Sequence, residues 1–152
     1  MSIEVLDKAI QLDPSFVEAY DARGWAYHNI GQDQTAIKEY TKALALDPDF
    51  VDSYNRRGIS YKTLEQYQLA IKDYNKAIQI DPDFAKAYSN LGSVHGILGQ
   101  YHLSIEYFDF AIQIEPKAIR YSNRSKTYSL LGQTVNANAD RAKACSLDIK
   151  YC

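Results

Sequence analysis

Residues 51–84 read VDSYNRRGISYKTLEQYQLAIKDYNKAIQIDPDF, and the same pattern recurs on both sides of it. Residues 17–50 read VEAYDARGWAYHNIGQDQTAIKEYTKALALDPDF, and a third version starts at Ala85. Pro14, Pro48, Pro82 and Pro116 stand 34 residues apart. Tyr20, Tyr54 and Tyr88 keep that interval, as do Gly24, Gly58 and Gly92, and Ala9, Ala43, Ala77 and Ala111. Self-similarity at a period of 20–50 residues signals an array of stacked supersecondary units. The expected units are a half unit at 1–16, full units at 17–50, 51–84 and 85–117, and a divergent last unit at 118–151.

Each unit reads as two helices. Tyr54, Arg57, Gly58 and Tyr61 follow a helical spacing, and Tyr67, Ala70, Ile71, Tyr74, Ala77 and Ile78 repeat it further on. The turn between the two falls at Leu64-Glu65-Gln66, and at Gly31, Gly99 and Gly132 in the other units. Glycine suits a helix end that needs positive φ. The second helix stops before Asp-Pro or Glu-Pro, because the residue ahead of proline avoids the α region. A glycine kept mid-helix costs about 1 kcal/mol against alanine. Gly24, Gly58 and Gly92 therefore predict helices in close approach, with Tyr40, Tyr74 and Phe108 as knobs and small residues such as Ala36, Ala70, Ala43 and Ala77 as holes. Tyr27 and Tyr61 are further knobs.

These positions resemble the tetratricopeptide repeat family over essentially the whole chain. The residues that carry the likeness are Tyr20-x-x-Arg23-Gly24-x-x-Tyr27, then Ala36, Tyr40, Ala43 and Pro48, with their later equivalents. Tyr replaces the frequent Trp at the first site; Arg23 and Arg57 replace the frequent Leu at the second, which Leu91 keeps. The resemblance implies an all-α, right-handed superhelical solenoid of antiparallel helix pairs, about nine helices in all. The first helix of each pair would line a concave groove and the second the convex side.

The two ends depart from the pattern. Residues 1–16 supply a second helix alone, with Ile3, Leu6, Ala9, Ile10 and Leu12 apolar, so the array is expected to have been cut there or to be covered by a partner. Near the C-terminus Asn138 and Arg141 stand where Ile37 and Tyr40 stand earlier, as suits a capping helix that closes the array.

Composition narrows the function classes. With 17 Lys and Arg against 19 Asp and Glu the net charge is -2, so nucleic acid and acidic membrane are not expected partners. No stretch approaches the ~20 apolar residues of a membrane span. The acidic N-terminal residues do not read as a targeting peptide, and a cytoplasmic location is expected. His28, His95 and His102 are scattered, and no metal-ligand spacing or phosphate loop appears, so neither catalysis nor a metal or cofactor is expected. Cys145 and Cys152 are seven residues apart, which on one continuous helix is roughly 10 Å and too far to bridge. Cys145 then reads as a small buried hydrophobe and Cys152 as a free tail thiol.

Function falls to the groove-facing positions of the first helices. In the first full unit these include Asp21, Trp25 and His28; in the second, Asn55, Arg56, Ile59 and Lys62. In the third they include Lys86, Ser89, Asn90 and Ser93, and in the last Asn123 and Lys126. Trp25 is the only tryptophan and the natural anchor, unless it packs onto the N-terminal helix. Arg56, Lys86 and Lys126 form a basic stripe for an acidic peptide, or else charges balanced by Glu18, Asp21 and Asp52. Family members that grip a C-terminal carboxylate use a Lys-Asn pair that this sequence lacks. Asn90 and Asn123 resemble two rungs of the asparagine ladder in the repeats of protein O-GlcNAc transferases, while Ala22 and Arg56 break it. The expected function is a noncatalytic scaffold that binds a peptide or partner segment. The alternative is homo-oligomerisation through the N-terminal helix.

Overall fold

A computed structural model describes residues 2–152. The described chain is all-α: α1 (Ile3–Leu12), α2 (Val17–Asn29), α3 (Asp33–Leu46), α4 (Val51–Thr63), α5 (Tyr67–Ile80), α6 (Ala85–Ile97), α7 (Tyr101–Ile114), α8 (Ala118–Leu130) and α9 (Thr134–Leu147). A 3₁₀ turn, Ile149–Tyr151, follows α9. Two compact units divide the chain after Asp81. In the first, α1 packs on α2, α2 on α3, α3 on α4 and α4 on α5. In the second, α6 packs on α7, α7 on α8 and α8 on α9.

The turns inside the pairs need a left-handed residue. Gly31, Gly99 and Gly132 supply it at φ 76, 74 and 72°, and Glu65 takes it at φ 59° without a glycine's freedom. The second helices stop where the sequence predicts: Asp47, Asp81 and Glu115 cap them in extended backbone ahead of Pro48, Pro82 and Pro116.

Each of the first three full pairs is locked by a ring lying on a glycine. A Cβ built at Gly24 would sit 2.7 Å from Tyr40 Cε1, one at Gly58 2.5 Å from Tyr74 Cε1, and one at Gly92 3.1 Å from the Phe108 ring. Tyr40 and Tyr74 are fully buried, and Ala36, Ala70, Ala43 and Ala77 are buried beside them. The place the ring enters is the glycine of the first helix, and the missing Cβ is what lets it in. The hydroxyls of Tyr40 and Tyr74 find no hydrogen-bond partner among the described residues. Burial pushes both phenols well above the usual tyrosine range. Phe108 fills the same place without that orphan. In the last pair Ser125 and Arg141 hold these two positions, and Arg141 is exposed, bonding Ser129 Oγ at 3.0 Å.

A second lock uses charge. Arg57 donates to both carboxylate oxygens of buried Asp73, at 2.7 and 2.9 Å, and to Thr41 Oγ1 of the preceding pair at 3.1 Å. Arg23 donates from Nε and Nη2 to one carboxylate oxygen of Glu39, at 2.9 and 2.5 Å, and from Nη1 to Asp7 on α1 at 2.6 Å. Arg124 donates to both carboxylate oxygens of Asp140 and to Asp109 on α7. Each arginine therefore ties its own pair together and reaches back to the previous second helix, in the planar, two-pronged way a lysine cannot. Where Leu91 replaces the arginine, Tyr107 replaces the acid and stacks on His95 at 5.2 Å.

The cysteines depart from the sequence expectation. They form a disulfide with Cα atoms 4.6 Å apart. The expectation assumed one helix through both residues, but α9 stops at Leu147. The Asp148 carboxylate then accepts from the Lys150 backbone N–H at 3.1 Å, and the 3₁₀ turn carries Cys152 back beside Cys145. Cys145 is half-buried and bonded, neither a free thiol nor a core hydrophobe; the buried residue beside it is Ala144.

The ring-on-glycine lock sets an order of sensitivity. We expect Gly58→Ala to lower the melting temperature despite the better helix propensity of alanine, because the added methyl has no room. Gly92→Ala is expected to be milder. Tyr74→Phe, which removes only the orphan hydroxyl, is expected to hold or raise stability by up to about 1 kcal/mol. Thermal unfolding of the three variants checks this; a Tyr74→Phe loss as large as the Gly58→Ala loss contradicts it.

Candidate functional site

In the first unit, α2 and α4 bring Asp21, Trp25, His28 and Arg56 into one cluster. Asp21 is buried and accepts from Ser53 Oγ at 2.8 Å and from Arg56 Nη1. Burial raises its pKa, and Arg56 and Ser53 offset that only in part. The Arg56 guanidinium lies 5.6 Å from the Trp25 ring centre, and the His28 ring stacks on the same indole at 5.0 Å. Trp25 stays 38% exposed, so the indole is braced by a cation and an imidazole yet still open to a partner. Ile59 is half-buried, and Asn55 is buried and engaged.

The sequence does not single out two neighbours of this cluster. Asp33 Oδ1 accepts from His28 Nδ1 at 2.6 Å, and Ser60 Oγ lies 3.5 Å from that same nitrogen. A serine–histidine–acid relay needs the hydroxyl and the acid on opposite ring nitrogens. Here both face Nδ1, so the arrangement holds the ring in place and does not activate the serine. Lys62 is half-buried, burial pushes its pKa below the usual lysine value, and its ammonium has no partner among the described residues.

In the second unit, Lys86 is engaged and its ammonium lies 5.4 Å from the Phe84 ring centre. Asn90 is engaged as well. Ser93 Oγ donates to Ser89 O at 3.0 Å, and Ser89 Oγ accepts from Arg120 Nε at 3.1 Å. Arg120 is buried, and it also bonds the Glu115 carboxylate at 2.6 Å. It occupies the place of Ala19, Ser53 and Ala87 in the other units, a small-to-large change visible in the sequence once the units are aligned. Asn123 is half-buried and Lys126 exposed, and neither side chain has a partner among the described residues. An open cavity of about 300 Å³ lies beside them between α6 and α8, over Phe108.

The three cations of the expected basic stripe therefore differ in state. Arg56 is held by Asp21, Lys86 is engaged, and Lys126 alone is available without displacing a partner.

Family models match most of the chain. A tetratricopeptide repeat model matches residues 51–84 and 85–118, a TPR repeat model matches 24–65, and another tetratricopeptide repeat model matches 5–38. The chain belongs to the tetratricopeptide repeat family. Its fold is similar to a crystal structure of MamA, at 28% identity over 97% of this chain and 87% of that chain, with a TM-score of 0.82. It is also similar to TTC0263, a thermophilic TPR protein of Thermus thermophilus, at 19% identity over 98% of this chain and 84% of that chain, with a TM-score of 0.87. A MamA fragment from Desulfovibrio magneticus RS-1 aligns over 97% of this chain and 84% of that chain, at 21% identity and a TM-score of 0.82. No curated protein sequence matches. The repeats and the similar structures make this chain an all-α solenoid of the protein-interaction scaffold type.

The buried Asp21 has a pH signature. Its folded pKa lies above the unfolded value, so its contribution is most favourable when protonated and is lost as pH rises through the folded pKa. We expect Asp21→Asn to gain stability relative to the parent between about pH 3 and about pH 7. Urea unfolding across that range checks the sign; a parent that gains on the variant as pH rises contradicts it.

Proposed function

We propose that the chain works as a noncatalytic scaffold, a half unit at 1–16 followed by four helix pairs, and that it holds a peptide or partner segment against the exposed face of the first helices. The observation that carries this is the division of labour on that face. Most of its charges and amides are spent on holding the helices: Asp21 with Arg56, His28 with Asp33, and the bonds of Ser89 with Arg120. Among the groups left over are the open side of Trp25, the Lys62 ammonium, the Asn123 amide and the Lys126 ammonium. An exposed, braced tryptophan supplies apolar area at low entropic cost, and tryptophan is enriched at binding hot spots. An unpartnered amide offers a donor and an acceptor to an extended backbone.

A displayed peptide library selected on the full chain, followed by titration of the selected peptides, tests the proposal. Trp25→Ala and Asn123→Ala are each expected to weaken binding about tenfold without altering the melting temperature. Parent-like binding by both variants contradicts the proposal.

A further inference from the structure

The cavity beside Asn123 and Lys126 lies within the second unit. Its floor is formed by Gly92 and Gly96, with the buried Phe108 ring directly beneath Gly92 and Ser104 and Thr127 beneath Gly96. Its rim is Ile97 and Leu130, 57% and 63% exposed, at the last turns of α6 and α8. At the same places in the first unit the sequence carries Asn29 and Thr63, so the apolar rim belongs to this unit. A volume of about 300 Å³ is at the small end of ligand sites and suits one side chain, not a whole cofactor. Lys126 lies on the lining with no acid beside it. Acids of this unit pair elsewhere: Asp109 and Asp140 with Arg124, Glu115 with Lys117 and Arg120, and Asp148 with Lys150.

We infer that this cavity receives one aliphatic side chain of a bound acidic segment, and that Lys126 pairs with a carboxylate on a residue flanking that side chain. The inference rests on the proposal that the first helices face a bound peptide, and it specifies the chemistry of that peptide. The two exposed apolar residues and the glycine-floored slot call for an aliphatic group, whose burial is favourable in proportion to the area removed from water. The unpaired ammonium at the edge calls for an anion, and an ion pair there adds selectivity between otherwise similar peptides.

Amide-resolved NMR titration of the full chain with three acetylated, amidated probes decides it: Gly-Gly-Glu-Leu-Glu-Gly-Gly, the same peptide with Gln for both Glu, and the same peptide with Gly for Leu. The Glu-Leu-Glu probe is expected to shift the amides of Ile97, Lys126 and Leu130 and to bind up to about fivefold more tightly than the Gln-Leu-Gln probe, the size of an exposed ion pair. In Lys126→Gln the preference for Glu over Gln is expected to vanish while the preference for Leu over Gly remains. In Leu130→Ser, at a position 63% exposed, the reverse is expected. Equal binding of the Glu-Leu-Glu and Gln-Leu-Gln probes to the parent, or no preference for Leu over Gly, overturns the inference. Shifts confined to α2 and α4 overturn it while leaving the groove proposal standing. No shift on any first helix with any probe overturns both.

Discussion

The close approach of an aromatic ring to a glycine backbone is the constraint on which the helix pairs depend. A helix with glycine in its middle loses stability by itself, and the loss is recovered only when something fills the space a Cβ would have taken. Tyr40, Tyr74 and Phe108 fill it to within 2.5–3.1 Å of where that atom would stand. That contact fixes how near the first helix comes to the second. It therefore sets which side chains of the first helix remain outside the packed face. In the first full pair, Trp25 stays exposed because the packed face is complete without it.

The arginine locks add a second layer and shape the charge left for a partner. Arg23, Arg57 and Arg124 sit half-buried or nearly so, and an unpaired guanidinium there would be costly. Each is met by a buried carboxylate on its own pair and by an acceptor on the preceding second helix. The net charge of the chain is close to zero, yet its available charge is not evenly spread. Arg23, Arg56, Arg57, Arg120 and Arg124 are met by internal acids, whereas Lys62 and Lys126 are among the lysines with no counter-ion among the described residues.

Much of this is legible in sequence because a repeat writes each contact several times. Gly24, Gly58 and Gly92, each sixteen residues ahead of a ring, announce the lock through their common spacing. The left-handed turns are equally plain at Gly31, Gly99 and Gly132, and the helix ends before Pro48, Pro82 and Pro116 follow from proline sterics. What stays hidden is the pairing of charges across helices. The sequence leaves Arg56 either as a groove cation or as a charge balanced by Glu18, Asp21 or Asp52, and only the contact with Asp21, 35 residues earlier on α2, decides between them. His28 and Asp33 are close in sequence, yet only the turn between α2 and α3 brings them into contact. The Cys145–Cys152 bridge is hidden for a different reason: it depends on where α9 ends, and the last unit has no proline to mark that end.

The last pair is the natural control, since Ser125 and Arg141 replace the glycine and the ring while the arginine lock of Arg124 is retained. Amide hydrogen exchange followed residue by residue compares it directly with its neighbour in the same unit. If the ring on glycine is what holds a pair together, the mid-helix amides of α8 and α9 exchange markedly faster than those of α6 and α7. Protection of α8 and α9 equal to or greater than that of α6 and α7 would contradict the account.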